Sequence, residues 1–320
     1  MSDNKKSDVS KSVTNSIADE SPSLSSLSEK DKPWDKHRAN TDKVEQFYIN
    51  SEFEEYVNRI HFCSEFLDFR LVPADEGELK LKLYSARFCR VRHCPVCQWR
   101  RSLMWKAKAY KVIPEIEKQY PKHRWLFLTL TVKNCPIIEL RETLDWMHQG
   151  FKRLTKLKVF PALGWLKSVE VTRGTRGDAH PHFHCLLLVP PSYFSHGYLS
   201  QKTWGELWQK CLRIDYKPVL DVQAIKPGQS PMSLIPELLK YCTKESDLVA
   251  DREWFLELTR QMHKMRAIAT GGVLKHCLRE LEKEPEDLIG HDEENVEPDE
   301  GHLYFGWKRN LKKYKLIDSD

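Results

Sequence analysis

Hydrophobic and polar positions recur with two different periods along the chain, which predicts a mixture of helices and strands. Apolar residues spaced three or four apart indicate amphipathic helices, whereas short β-branched or aromatic runs indicate buried strands. Helices are predicted at 42–63, 100–119, 137–157, 201–214 and 233–249, with further helix to about residue 281. Strands are predicted at 124–132, 164–174, 181–190 and 217–225, with a hairpin at 66–84.

The connection between the strands at 164–174 and 181–190 determines how they pair. It is short and carries Gly174 and Gly177, and so short a turn permits only antiparallel pairing. Helices and strands otherwise alternate along the chain. The expected fold class is therefore α+β, an antiparallel sheet flanked by helices, rather than a doubly wound parallel sheet.

Composition divides the chain further. Residues 1–40 are rich in Ser, Asp, Lys and Asn and are expected to form a disordered tail. We expect a helix with a cysteine-rich module at 41–120, the main domain at 121–281, an acidic linker at 282–301 and a basic, aromatic hairpin at 302–320.

The N-terminus is polar, and no apolar run approaches the length of a membrane span. We therefore expect a cytoplasmic protein that does not contact membranes. In such a reducing compartment, the nine cysteines are expected to bind metal or to lie in the core.

The charge is unevenly distributed. The net charge is +5, but residues 281–301 hold ten acidic side chains and one lysine. The remaining chain has 50 basic and 36 acidic residues, a net charge of +14. This favours a polyanionic partner such as nucleic acid, although a solvated basic surface is the alternative.

The stretch HPHFHCLLLV, residues 180–189, places two histidines beside an apolar run. His182 and His184 are two residues apart, so on a strand they point to the same face. Glu170 lies on the preceding strand and is expected to approach them. Two imidazoles and one carboxylate can bind a divalent first-row metal ion or Mg²⁺. The alternative is a pair of surface histidines, because the His-X-His pattern alone is a weak signal.

Four cysteines form a second candidate site. Cys94 and Cys97 form a Cys-Pro-X-Cys pattern, with Cys89 and Cys63 upstream. Four thiolates can form a closed tetrahedral zinc site, and His93 is an alternative fourth ligand. Buried free thiols are the simpler alternative. A redox motif is disfavoured because no thioredoxin-like βαβ pattern surrounds it.

The segment PELLKYCTKESD is the third candidate. If it is helical, then Glu237, Tyr241 and Lys244 share one face. A tyrosine at such a position is most often an ordinary core residue. A phenol, with an ordinary pKa of about 10, must be activated before it can act as a nucleophile.

Taken together, the motifs resemble a known family. FCRVRHCPVCQWRR, FLTLTVKN, PHFHCLLLV and ELLKYCTK occur in that order. This resembles the rolling-circle replication initiators of small bacterial plasmids, the single-tyrosine Rep branch of the HUH endonuclease superfamily. The resemblance covers roughly residues 60–250. It implies an HUH nuclease-like antiparallel sheet in the 121–281 domain, with the histidines on a middle strand.

The resemblance also implies a mechanism. Tyr241 would attack the scissile phosphate at the plasmid origin, giving a 5′-phosphotyrosine and a 3′-OH that primes rolling-circle synthesis. Mg²⁺ or Mn²⁺ would be held by His182 and His184, with Glu170 as third ligand. Lys244 would neutralise charge on the phosphate or position the phenolate.

The same resemblance implies how replication ends. Glu237 would activate the water that performs the terminating cleavage, before strand joining. Tyr198 and Tyr216 are conceivable second nucleophiles but lie in no matching motif.

Several partners follow from this hypothesis. They are origin DNA presented as a single strand or extruded site, a host helicase and a DNA polymerase, and a homodimer is conceivable. The aromatic and basic residues after the cysteines could contact DNA or cover the zinc module. These residues are Trp99, Arg100, Arg101 and Trp105.

Three other classes of function compete with this hypothesis. A single-tyrosine transposase or a conjugative relaxase would use the same chemistry, although the three-histidine motif and N-terminal tyrosine of relaxases are absent from the sequence. A non-catalytic zinc-dependent DNA-binding regulator would explain the charge and the cysteines. A metallohydrolase of small molecules would not need the basic body.

Overall fold

The computed structural model describes residues 21–73, 78–240, 242–279, 288–289 and 301–317. The chain divides into a first unit, Met1–Arg100 with Asp287–Asp320, and a second unit, Arg101–Glu286. The predicted α+β class is confirmed, with antiparallel sheets and flanking helices.

Helices and strands follow one another along the described residues. The α-helices are α1 (Leu24–Leu27), α2 (Pro33–Tyr48), α3 (Glu55–His61), α4 (Pro95–Gln119), α5 (Leu140–Leu154), α6 (Ser192–Ser195), α7 (Gln201–Leu212), α8 (Ile235–Leu238), α9 (Glu245–Leu248), α10 (Arg252–Gln261) and α11 (Leu274–Cys277). Single 3₁₀ turns occupy Glu29–Asp31, Ile137–Glu139 and Pro231–Leu234. The strands are β1 (Phe66–Pro73), β2 (Leu79–Ala86), β3 (Arg124–Thr131), β4 (Gly164–Arg173), β5 (Ala179–Val189), β6 (Leu220–Ala224), β7 (Ile268–Gly272), β8 (His302–Lys308) and β9 (Lys313–Ile317).

The first unit contains a four-stranded antiparallel sheet in the order β2-β1-β8-β9. The predicted hairpin at 66–84 corresponds to β1 and β2. The C-terminal hairpin forms β8 and β9, and Phe305 lies opposite Leu67 of β1. Because β8 pairs with β1, residues 302–317 complete this sheet rather than forming a separate domain as the sequence analysis expected.

The predicted disordered tail is wrong for residues 21–40, which are folded. Helix α2 begins with Pro33, a residue suited to the first helical turn, and buries Trp34 completely. Arg38 is also buried, and it pairs with Asp42 at 2.6 Å. Tyr314 of β9 contacts the Trp34 ring. The apolar partners of this polar segment thus come from the far end of the chain, which local composition does not reveal.

Parts of the expected tail and linker lie outside the described residues. This applies to residues 1–20 and to most of the acidic linker at 282–301. Within the described part of that linker, the carbonyls of Leu288 and Ile289 accept hydrogen bonds from Arg100, at 2.6 and 2.9 Å.

The second unit contains a five-stranded sheet in the order β6-β3-β5-β4-β7, with every neighbouring pair antiparallel. Strand β5, which carries the histidines, is therefore the middle strand. On one face, α5 packs its predicted apolar stripe, and Phe151 contacts Phe183 of β5. On the other face, α4 and α8 cover only the end of the sheet around Phe127 and Leu186. The His182 end of that second face is left for polar side chains.

Two sequence predictions in this unit are wrong. The helix expected at 233–249 ends at Leu238, and a separate turn of helix begins only at Glu245. The helix expected to continue towards residue 281 is interrupted by strand β7 at Ile268–Gly272. That strand is short and includes two glycines, so its pattern is weak. It forms because its backbone pairs with the edge of β4.

None of the helices in the described part of the chain is both long enough and apolar enough to span a lipid bilayer.

Candidate functional site

Strands β4 and β5 bring one carboxylate and two imidazoles together. Glu170 lies directly opposite His182 in the antiparallel register. Its Oε2 atom is 2.8 Å from Nε2 of His182 and 2.9 Å from Nε2 of His184. All three side chains are buried. The predicted approach of Glu170 to the histidines is confirmed, and these residues are called the Glu–His–His triad below.

Two further charged side chains join the triad, Glu237 from α8 and Lys240 from the residues just after it. Lys240 places its Nζ atom 2.7 Å from Glu170 Oε2 and 2.6 Å from Glu237 Oε1. Glu237 also lies 3.5 Å from Nε2 of His184, and about half of its side chain is exposed. Glu237 was predicted from the sequence, but Lys240 was not. Its only signal was its position next to Tyr241.

The charges of the site depend on these contacts. Burial alone would raise the pKa of Glu170, but hydrogen bonds from His182, His184 and Lys240 hold it well below its ordinary range. Burial acts to lower the pKa of Lys240, but its contacts with Glu170 and Glu237 raise it. The Glu170 carboxylate and the Lys240 ammonium are therefore both charged at neutral pH.

The triad has the donor set of a divalent metal site. One carboxylate and two imidazole nitrogens, all within 4.8 Å of one another, form a 2-His-1-carboxylate group. The second carboxylate oxygen, Oε1 of Glu170, is buried without a hydrogen-bond partner. A buried, unpaired carboxylate oxygen is costly unless a cation binds it. The residues therefore fit a bound divalent ion.

The first motif, FLTLTVKN, supplies contacts that the sequence did not explain. Thr129 lies opposite His184 on β3, and its Oγ1 atom is 3.2 Å from Nδ1 of that histidine. Thr131 lies opposite His182 and donates a hydrogen bond to the Val219 carbonyl at 2.6 Å. A hydrogen bond to the ring nitrogen that does not face the metal orients a histidine ligand. Thr129 can therefore fix the His184 ring.

Tyr241 lies outside the described residues, but its neighbours are hydrogen-bonded to helix α4 and strand β4. The Leu239 carbonyl accepts a hydrogen bond from the Ser102 hydroxyl at 2.7 Å. The Cys242 carbonyl accepts one from the Val171 amide at 2.8 Å, next to Glu170 on β4. These tertiary hydrogen bonds take carbonyls that a continuous helix would use internally, which explains why the predicted helix ends.

Lys244 does not share a helical face with Glu237, contrary to the sequence prediction. It is exposed, has an extended backbone and precedes α9 as its N-cap residue. Its carbonyl accepts hydrogen bonds from the amides of Asp247 and Leu248.

In the first unit, the four predicted cysteines form a buried cluster, called the cysteine cluster below. Cys63 Sγ is 3.7 Å from Cys94 Sγ and 3.6 Å from Cys97 Sγ, and Cys89 Sγ is 3.5 Å from Cys97 Sγ. Sulfurs bound tetrahedrally at about 2.3 Å from one ion lie about 3.8 Å apart. The cluster therefore fits one metal ion, with Cys63 rather than His93 as the fourth member.

The backbone around the cluster supports this arrangement. The amides of Cys89 and Arg90 donate to the sulfurs of Cys63 and Cys97, at 3.4 and 3.3 Å. Arg90 adopts a φ of 58°, which turns the chain tightly after Cys89. Burial raises the pKa of Cys63 and Cys89, whereas bonds from the neighbouring thiols lower the pKa of Cys94 despite its burial. A lowered pKa favours the thiolate that a metal binds.

Most of the residues suggested for DNA contact are buried instead. Arg100, Arg101 and Trp105 each have less than a tenth of their surface exposed. Trp99 stacks on His37 and contacts Trp34 edge-on. The structure therefore disfavours DNA contact by Arg100, Arg101 and Trp105.

The two other tyrosines considered as nucleophiles lie in different surroundings. Tyr198 is largely exposed and contacts the Tyr193 ring. The hydroxyl of Tyr216 accepts a hydrogen bond from the Lys133 amide at 3.2 Å, just after β3. Tyr216 is thus the one of these two that lies beside the first motif.

Comparison with known proteins identifies relatives along most of the chain. A family model described as "Replication protein" matches residues 80–315. The chain is 32% identical to a "Protein rep" of Lentilactobacillus hilgardii over 90% of this chain and 96% of the relative. It is 34% identical to a "Protein rep" of Streptococcus pneumoniae serotype 2, over 89% of this chain and 92% of the relative. A "Protein rep" of Lactiplantibacillus plantarum is 36% identical over 79% and 83%. No solved structure was found to match the chain.

Proposed function

The chain belongs to the replication protein family, and on this premise we propose that it is a plasmid replication initiator that nicks one strand of its origin. The observation that carries the proposal is the Glu–His–His triad on two adjacent strands. The described residues on both sides of Tyr241 are hydrogen-bonded beside it. This arrangement supports an HUH nuclease-like organisation of the second unit.

The proposed reaction is a transesterification. The Tyr241 phenol loses its proton to solvent, and its oxygen attacks the scissile phosphorus. The bond from phosphorus to the 3′ oxygen breaks, and the departing oxygen takes up a proton. The products are a 5′-phosphotyrosine and a free 3′-OH, which serves as primer. Mg²⁺ or Mn²⁺ on Glu170, His182 and His184 would supply Lewis-acid polarisation of the phosphate.

The surrounding side chains have separate roles in this proposal. Lys240 carries a positive charge within the site and balances the carboxylates of Glu170 and Glu237. Lys244 follows Lys240 by four residues along the chain and is exposed. We assign it to the phosphate of the incoming strand. Positive groups aimed at developing charge act on the transition state, so their loss lowers the rate more than the affinity.

Glu237 is assigned to termination. Its half-exposed carboxylate is accessible to water, and its contact with Lys240 keeps it near the triad. It would accept a proton from the water that cleaves the regenerated nick site. The freed 3′-OH then attacks the phosphotyrosine, which joins the strand ends and releases Tyr241.

The cysteine cluster is proposed to hold structural zinc, because four thiolates leave no open position for a substrate. Its occupant would stabilise the first unit rather than take part in cleavage. A non-catalytic zinc-dependent DNA-binding protein would share this feature, but it would not need the triad.

The test is a denaturing gel of single-stranded DNA carrying the plasmid origin, incubated with protein and Mn²⁺. Wild type should form a covalent protein–DNA band, whereas Tyr241→Phe, His182→Ala and Glu170→Gln should not. Tyr216→Phe is the matched control and should retain the band. If Tyr241→Phe formed the band and Tyr216→Phe did not, then Tyr216 would be the nucleophile and the assignment of Tyr241 would be wrong. No band from wild type would favour the regulator.

A further inference from the structure

A cleft lies next to the Glu–His–His triad, where β3 ends and β5 begins. Its volume is about 450 Å³, and it is lined by residues 131–134, residues 216–219 and His180. We call it the Tyr216 cleft. Thr131 on its wall lies directly opposite His182, and the ring centroids of His180 and His182 are 5.2 Å apart. The cleft therefore opens directly beside the triad.

One wall of the cleft combines an aromatic ring with positive charge. The Lys133 ammonium lies 4.2 Å from the centroid of the Tyr216 ring. The Lys133 amide donates to the Tyr216 hydroxyl, which ties the loop after β3 to the loop before β6. Lys217 is exposed next to them. The wall therefore presents two ammonium groups and a ring on a fixed backbone.

The boundary between the cleft and the triad is also built by a side-chain contact. Asn134 Oδ1 lies 2.7 Å from Nδ1 of His180, which holds the imidazole in place. Asn134 and Lys133 are the last two residues of the first motif, and His180 begins the histidine stretch. Residues of both motifs that are not members of the triad thus meet at the entrance to the cleft.

We propose that the Tyr216 cleft binds a nucleotide of single-stranded DNA next to the scissile phosphate. This inference rests on the proposed function. Lys133 and Lys217 contact the phosphate backbone, and Tyr216 contacts the sugar or base. Binding sites for single strands combine cationic side chains along the backbone with aromatic rings against the bases. The cleft has both, and its volume lies within the roughly 300–1,000 Å³ of ligand sites.

A free nucleotide would share this chemistry, but a strand fits the position better. The cleft lies beside the triad, where a phosphate of the strand is proposed to react. A nucleotide bound in the cleft can therefore belong to the same strand as the phosphate that reacts at the triad. This gives the end of the first motif a role in holding the substrate.

The experiment measures binding separately from cleavage. Full-length protein carrying Tyr241→Phe is titrated with fluorescein-labelled oligothymidylate of twelve nucleotides, with Mn²⁺ present, at several salt concentrations. Each loss of one phosphate contact should weaken binding about fivefold at 0.1 M salt and reduce the salt slope by about 0.7. Lys133→Ala and Lys217→Ala should each show this change, and Tyr216→Ala should weaken binding roughly tenfold.

Matched variants separate the cleft from general effects. Tyr216→Phe keeps the ring but loses the hydrogen bond from the Lys133 amide, and it should bind more tightly than Tyr216→Ala. Lys226→Ala removes an exposed lysine at the opposite end of β6 and should also leave affinity and salt slope unchanged. Unchanged binding by a Lys133→Ala/Lys217→Ala double variant would overturn the proposal. The proposal would also be overturned if deoxythymidine monophosphate displaced the oligonucleotide at an equal concentration of nucleotides.

The outcome is distinguishable from failure of the proposed function. The binding assay uses a protein that cannot cleave, so it reports on the cleft even if wild type forms no covalent band. If wild type forms the band and the double variant binds normally, only the cleft proposal fails.

Discussion

Lys240 should compete with the metal ion for the triad, so we expect Lys240→Met to bind Mn²⁺ more tightly than wild type. The Lys240 ammonium lies 2.7 Å from Glu170 Oε2, the same oxygen that both histidines contact. A divalent ion held by that oxygen must displace the ammonium. Methionine has similar length but no charge, so it removes the competing contact.

The magnitude follows from that contact. A hydrogen bond to a charged group contributes about 1.5–3 kcal/mol, and Lys240 is only a quarter exposed, so screening by solvent is moderate. Since about 1.4 kcal/mol changes an equilibrium constant tenfold, the dissociation constant for Mn²⁺ should fall by roughly tenfold to a hundredfold. The carboxylate of Glu237, freed from Lys240, acts in the same direction.

The assay is a titration of DNA-free protein with Mn²⁺, in which electron paramagnetic resonance reports the free ion. His182→Ala should remove the binding, which shows that the triad is being measured. Lys226→Met removes an exposed lysine elsewhere in the second unit and should match wild type. If Lys240→Met bound Mn²⁺ equally or more weakly, the ammonium would not be a competitor, and its contact with Glu170 would be incidental to metal binding.

Three further predictions concern separate parts of the molecule. Cys97→Ser should lose zinc from the cysteine cluster and lower the thermal midpoint of the first unit in calorimetry, since metal binding at such a site contributes directly to folding. A zinc-free variant that melts like wild type would contradict this prediction. Thr129→Val should weaken Mn²⁺ binding about tenfold, because the His184 ring loses its orienting contact, whereas an unchanged titration would show that the ring is fixed otherwise. Burial lowers the pKa of Lys167 to about 8 in the folded protein, below the roughly 10.4 of an unfolded lysine. Between these two pKa values the folded state binds fewer protons than the unfolded state, so the free energy of unfolding should increase as the pH rises. Lys167→Met should therefore raise the free energy of unfolding by up to about 3 kcal/mol at pH 7, with the gain shrinking towards pH 10 in urea titrations, and a pH-independent gain would refute the charge argument.

The core of the site was predictable because it depends on local rules. Side chains alternate along a strand, and a short turn forces antiparallel pairing. Those two rules place Glu170 against His182 and His184 without knowledge of the rest of the fold. The cysteine cluster was predictable for the same reason, since the spacing of Cys94 and Cys97 already indicates that they bind one metal ion.

The remaining features depend on contacts between distant residues. The segment after α8 has a helical pattern, but Ser102 and Val171 hydrogen-bond to its carbonyls and end the helix. That break is what brings Lys240 to Glu170. The folding of residues 21–40 likewise depends on Tyr314, nearly three hundred residues later. No window of sequence contains both partners of such contacts.

The triad and the side chains beside it are held by different kinds of backbone structure, and this difference fits two separate roles. The triad stands on two paired strands, and its two short contacts to Glu170 Oε2 differ by only 0.1 Å. Glu237 and Lys240 instead lie at the end of a single helical turn, whose following carbonyls are held by isolated hydrogen bonds. A rigid strand pair suits ligands that keep one geometry throughout a reaction. A weakly held segment suits side chains that exchange partners, as Lys240 would when an ion binds the triad and as Glu237 would when it releases Lys240 to accept a proton from water. In this protein the sheet would fix where the phosphate reacts, and the segment beside it would govern which step takes place.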